Sequence, residues 1–124
     1  MNIDVNGSRV FAHTGGRNFD PSIPALILIH GAGNDHTFWG MQTRYFAHHG
    51  YSVLALDLPG HGNNPRPIHQ ITLSNYVKHV CEIIDLQSDP VILVGHSLGG
   101  VTISQTAEHR SNKIKYLVYL TAMM

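Results

Sequence analysis

Gly95-His96-Ser97-Leu98-Gly99 follows directly on the apolar run Val91-Ile92-Leu93-Val94. A serine hydroxyl is a weak nucleophile until its surroundings activate it. Glycines on either side of Ser97 allow a sharp turn from strand to helix that strains the serine backbone and lifts its Oγ clear of a sheet. A helix beginning near Leu98 adds its amino-terminal dipole, which favours the negative charge that develops when the hydroxyl attacks a carbonyl. The chemistry open to such a serine is acyl transfer.

A tetrahedral acyl intermediate needs preorganised N–H donors for its oxyanion. His30-Gly31-Ala32-Gly33 ends a second apolar run, Ala25-Leu26-Ile27-Leu28-Ile29. Loops at the carboxyl ends of adjacent parallel strands converge in space, so the backbone N–H groups of Ala32 and Leu98 are the expected donors. Gly31, His96 and Phe38 are the candidate substrate contacts. Phe38 and Trp39 either line an acyl pocket or anchor the first helix to the sheet.

The chain has ten histidines, which raises metal binding as a rival use. His30, His61 and His96 fall at the ends of neighbouring strands, but ligation needs three or four convergent groups, and strand ends alone do not supply convergence. No metal and no cofactor is expected. His30 is expected to order the 31–33 loop by hydrogen bonding and His61 to serve the Pro59-Gly60-His61-Gly62 turn. His36, His48, His49, His69, His79 and His109 read as surface residues. Asp57 is expected to bind turn amides, and Asp35 to cap a helix or sit on the surface.

The elements that must hold these residues alternate. Ile3–Val5 and Arg9–Thr14 read as short strands joined across Asn6-Gly7, a pair that favours a type I′ hairpin. Apolar runs at 25–30, 52–57 and 91–94 read as strands buried on both faces of a parallel sheet, with 115–121 a fourth. Phe38, Trp39, Met41, Tyr45 and Phe46 recur at helical spacing between His36 and His49, and Gly50 ends that helix. Thr72 or Ser74 caps a second helix with Leu73, Tyr76, Val77, Val80, Ile83 and Ile84 on one face. A third runs from Leu98 to about His109. Strands alternating with helices imply one α/β domain with a mostly parallel sheet.

At 124 residues the chain has the length of one ordinary domain. Lys plus Arg is 8 and Asp plus Glu is 8, so nothing points to nucleic acid as a partner. Cys81 is the only cysteine, which excludes an intrachain disulfide. The first residues lack a basic and an apolar signal region, and no apolar run is long enough to span a membrane. A cytoplasmic protein without membrane contact is expected.

Together, Leu28-Ile29-His30-Gly31-Ala32-Gly33, Asp57-Leu58-Pro59-Gly60-His61-Gly62 and Val94-Gly95-His96-Ser97-Leu98-Gly99-Gly100 resemble the amino-terminal half of an α/β-hydrolase fold protein. Residues 113–122 resemble the sixth strand of that fold. Ile103-Ser104-Gln105, with residues 114–122, is similar to the plant-type methyl esterase and hydroxynitrile lyase group. The resemblance implies a single domain over 1–124, with helices on both faces of the sheet and the fold truncated after the sixth strand. It also implies hydrolysis of small carboxylic esters through an acyl-enzyme on Ser97, with a triad in the order serine, acid, histidine. The family places that acid and histidine beyond the sixth strand, and no Asp or Glu follows Glu108 here. These residues alone are therefore expected to be inactive or weak. Two further readings stay open, a non-catalytic remnant that binds a small molecule or a partner, and a hydroxynitrile lyase-like enzyme. The edge at Tyr116-Leu117-Val118-Tyr119-Leu120 invites self-association.

Overall fold

The computed structural model describes residues 1–122, the side chain of Ser8 excepted. The chain opens with a hairpin of β1 (Asn2–Val5) and β2 (Ser8–His13). Asn6 and Gly7 both adopt positive φ, +49° and +82°, as the type I′ turn requires. The parallel strands are β3 (Ala25–Ile29), β4 (Ser52–Leu56), β5 (Val91–His96) and β6 (Ile114–Leu120). Strand order is β1-β2-β4-β3-β5-β6, antiparallel as far as β4 and parallel from there on. Every residue of β3 and β4 is buried, which explains why both read as continuous apolar runs rather than alternating ones.

Helices cover both faces. α2 (Leu73–Asp85) and α3 (Gly99–Arg110) lie on one, where Val80, Ile83, Ile84 and Ile103 pack with Ile27, Ile29, Leu54 and Leu93. Thr72 rather than Ser74 caps α2, its hydroxyl accepting the Asn75 N–H at 3.2 Å. α1 (Gly40–Ala47) lies on the other face, where Trp39 and Ala47 pack with Leu26, Leu28, Val53 and Ala55.

Three expectations need correction. The segment from His36 is a 3-10 turn to Trp39 followed by α1, and α1 turns Thr43 and Ala47 inward while Met41 and Tyr45 are 84% and 57% exposed. At Ala47 the reason is a close approach: a Cβ on Gly15 would lie 2.8 Å from the Ala47 Cβ, so Gly15 and a small side chain at 47 go together. β6 is not buried on both faces. It pairs with β5 along one edge, and Tyr116, Leu117, Val118 and Leu120 are each at least 37% exposed. His79 is not a surface residue but is buried within α2.

Candidate active site

Ser97 stands at the junction of β5 and α3 with φ of +53°. A non-glycine residue there costs on the order of 1–3 kcal/mol and persists only where its surroundings over-determine it. The flanking glycines show what does so. A Cβ on Gly95 would stand 2.6 Å from the Gly99 carbonyl oxygen, and one on Gly99 would stand 2.6 Å from that of Ile29 and 2.9 Å from that of His30. Only glycine lets β5, α3 and the end of β3 close on the serine at once. The Ser97 N–H donates to the Leu120 carbonyl at 3.4 Å, which ties the turn to the end of β6.

The 31–33 loop backs onto this turn. A Cβ on Gly31 would lie 3.1 Å from Ser97 Cβ and 3.2 Å from the His96 carbonyl oxygen. Ala32 and Leu98 line one small pocket together with His61 and Tyr76. Among the described residues neither the Ala32 nor the Leu98 amide donates to a protein acceptor.

Histidines fasten the loop from below. His30 is buried, its Nδ1–H donating to the Gly31 carbonyl at 2.7 Å and its Nε2 accepting the Leu58 N–H at 3.1 Å. Burial pushes its pKa below the usual histidine value, which keeps the ring in the neutral form that both bonds need. His61 Nε2 accepts the Gly33 N–H at 3.3 Å while its Nδ1–H donates to the Pro59 carbonyl at 3.1 Å. The two rings pack with centroids 4.8 Å apart. Both histidines do the ordering work expected of them, and their ring nitrogens are occupied in doing it.

Asp57 is fully buried at the carboxyl end of β4 and binds turn amides as expected, accepting the His36 N–H at 2.7 Å and the Asn63 N–H at 2.8 Å. It also accepts from His36 Nδ1 at 3.0 Å, so His36 is a loop tie rather than the surface residue its position suggested. The signal was available in part: a carboxylate at the end of a wholly apolar strand must find donors somewhere. Asp35, His36 and Asp57 bring ligand-type atoms within 4.8 Å of one another. Asp35 caps the 3-10 turn by accepting the Thr37 N–H, and the hydrogen bond from the Thr37 side chain is the main reason its pKa is lowered. Hydrogen bonding within the loop thus accounts for the grouping.

Phe38 and Trp39 differ in burial. Trp39 is 1% exposed and anchors α1, whereas Phe38 is 41% exposed and stacks on His96 at 4.1 Å between centroids. His96 therefore makes an aromatic wall beside Ser97, with Trp39 edge-on at 6.3 Å. Among the described residues, the buried His96 Nδ1 and Trp39 Nε1 have no hydrogen-bond partner, and no side chain hydrogen-bonds the Ser97 hydroxyl.

Residues 26–124 match the profile of the alpha/beta hydrolase family. The chain belongs to that family. Among curated alpha/beta hydrolase relatives, it is 35% identical over 104 residues to the pyrethroid hydrolase of Sphingobium wenxiniae, covering 83% of this chain and 37% of that protein. It is 32% identical over 101 residues to methylesterase 9 of Arabidopsis thaliana, covering 79% of this chain and 40% of that one, in keeping with the expected likeness to plant methyl esterases. The thioesterase domain from the curacin biosynthetic pathway superposes with a TM-score of 0.85 at 26% identity, over 98% of this chain and 45% of that one. The chain thus spans less than half the length of the proteins it matches.

Proposed function

We propose that this chain carries the nucleophile and oxyanion side of a serine hydrolase site for small carboxylic esters. The observation that carries the reading is the positive φ of Ser97, held between two glycines that no larger residue can replace. Ser97 Oγ attacks the ester carbonyl carbon, the oxygen–carbon bond forms, and the carbonyl electron pair moves to the oxygen. The Ala32 and Leu98 N–H groups, free of protein acceptors among the described residues, stabilise that oxyanion. Collapse expels the alcohol and leaves an acyl-enzyme, which water then cleaves. Gly31, His96 and Phe38 form the wall against which the acyl group lies. Names such as methylesterase among the relatives support an ester as substrate class. A cytoplasmic setting fits the single buried cysteine, which forms no disulfide.

The base that takes the serine proton and the acid that orients it lie outside the residues the structure brings to Ser97. Loss of triad partners lowers turnover by on the order of 10⁴ to 10⁶, so this chain by itself turns over esters very slowly. A fluorophosphonate probe tests the assignment. Expected is slow modification of a single residue, Ser97 by peptide mass mapping, over hours rather than minutes. Added imidazole, standing in for the absent base, quickens it, and Ser97→Ala abolishes it. Labelling elsewhere, or undiminished labelling of Ser97→Ala, overturns the nucleophile. A burst on an activated ester at an ordinary enzymatic rate overturns the claim that the base lies outside.

A further inference from the structure

A groove of about 610 Å³ runs between α2 and α3, and no residue of the candidate active site lines it. Val77 and Cys81 of α2, both buried, supply apolar surface, and Gln105 and His109 of α3 stand across from them. A cavity of this size suits a small organic molecule.

The charged groups along the groove are not equally satisfied. Arg110 forks onto Asp85, its Nε donating to one carboxylate oxygen at 2.7 Å and its Nη2 to the other at 2.9 Å, while Nη1 donates to the His109 carbonyl at 3.0 Å. That pair answers its own charge. Glu82, three residues earlier on α2, differs. Its side chain is only 10% exposed, and among the described residues no donor hydrogen-bonds its carboxylate. Lys78 Nζ stops 3.8 Å away, beyond hydrogen-bond reach, on a side chain that is 67% exposed. A carboxylate so nearly buried gives up water and needs hydrogen bonds in return.

The unmet group is an anion, and it selects the charge of what fits. An anionic ligand would meet the Glu82 carboxylate and find Arg110 already engaged. A metal ion would find too few partners, since the cluster of three metal-ligating side chains among the described residues lies elsewhere, at Asp35, His36 and Asp57. We propose that the groove binds a small primary alkylammonium ion, whose N–H groups donate to Glu82 while its hydrocarbon lies on Val77 and Cys81. A primary ammonium carries three donors, so the side-chain amide oxygen of Gln105 can accept a second. Lys78 is the internal competitor for the same carboxylate.

The test reads binding by NMR of the whole chain, with n-butylammonium as the probe. Tetramethylammonium, which carries the charge without an N–H, and sodium chloride at equal ionic strength are the controls. Amide shifts in residues 77–85 and 105–110 should move with n-butylammonium and saturate. Glu82→Gln keeps the shape of the side chain without its charge and should bind about tenfold more weakly. Lys78→Ala removes the competitor at an exposed position and should bind about twofold more tightly. Its sign decides the matter should Glu82→Gln fail to fold. Ser97→Ala should bind as the wild type does, so this site and the hydrolase reading fail or survive separately. The proposal is overturned if the shifts never saturate or if either control reproduces them. It is equally overturned if Glu82→Gln binds unchanged, or if Lys78→Ala binds unchanged or more weakly.

Discussion

The loops after β3 and β4 are tied to each other by side-chain hydrogen bonds, whereas β6 meets the candidate site through backbone pairing alone. His30 joins the 31–33 loop to Leu58, His61 joins Gly33 to Pro59, and Asp57 joins His36 to Asn63. Against these, β6 reaches Ser97 through its pairing with β5 as far as His96 opposite Leu120 and through the Ser97 N–H to the Leu120 carbonyl, with Tyr119 bonded to Ser104 of α3, and the outer surface of that strand is open to solvent. The contrast shows where restraint is concentrated. Backbone geometry around Ser97 depends on residues 30–99, which are mutually restrained, while the outer face of β6 is open to solvent.

The largest effect that tests this contrast is expected at Gly99. Alanine there puts its Cβ 2.6 Å from the Ile29 carbonyl oxygen, and neither backbone can retreat without opening the serine turn. Overpacking of this kind against main chain exceeds the usual 1–3 kcal/mol, so Gly99→Ala should lose about 4 kcal/mol or more in urea unfolding, or fail to fold. Gly31→Ala meets the Ser97 Cβ at 3.1 Å, a contact that eases by a shift of a few tenths of an ångström. A loss of about 1 kcal/mol is expected there, with slower fluorophosphonate labelling of Ser97. Equal losses at the two positions would show that the tied loops are not the rigid part of the molecule.

A smaller effect separates the tied loops from the rest of the core through pH. Burial, with help from the Arg66 and Lys78 charges, lowers the His79 pKa from 6.5 to about 4. Above pH 6.5 the ring is neutral folded or unfolded and contributes nothing to the pH dependence. Below that, the unfolded chain binds a proton that the folded chain refuses, so stability falls as pH drops from about 6.5 to about 4 and the loss levels off below. At about 1.4 kcal/mol per pKa unit the loss is at most about 3.5 kcal/mol, and water reaching the ring brings it nearer about 2. His30 and His13 are also lowered by burial and act in the same direction. Urea midpoints at pH 7.5 and 5.0 check this. His79→Leu should remove most of the difference, because His79 Nδ1 has no hydrogen-bond partner among the described residues to lose. The slope that remains belongs to His30 and His13. A difference untouched by His79→Leu would move the titration into the loops around Ser97.

What the sequence disclosed follows the same division between local and distant restraint. The Asn6-Gly7 hairpin, the buried runs of β3 to β5 and the turn at Ser97 are set by steric demands of neighbouring residues, so they are legible in a few letters. The inward face of α1 is not, because helical spacing pointed to Met41 and Tyr45 while the helix turns Thr43 and Ala47 inward, Ala47 against the distant Gly15. Nor is the pairing of His36 with Asp57, which are 21 residues apart and meet only where β3 and β4 end. His79 looks like any polar helix residue until the packing of α2 encloses it. The Ser97 turn was readable because its geometry rests on Gly95 and Gly99 beside it.

The smallest effect is expected on β6, and its smallness is the point. Tyr116 is 58% exposed and lies opposite Ile92 across the pair with β5. Its one further contact of note is Lys115 Nζ, 5.7 Å from the ring centroid, a cation–π pair worth about 0.5 kcal/mol at an exposed site. Threonine suits a strand as well as tyrosine does, so Tyr116→Thr removes little beyond that contact. Urea unfolding should show a loss within about 0.5 kcal/mol, independent of protein concentration. A loss above about 1.5 kcal/mol would mean that the ring is covered in solution. If that larger loss also grew with protein concentration, the cover would be another copy of the chain. The strand beside Ser97 would then be an occupied surface, and the contrast between tied loops and a bare sixth strand would hold only for the single chain.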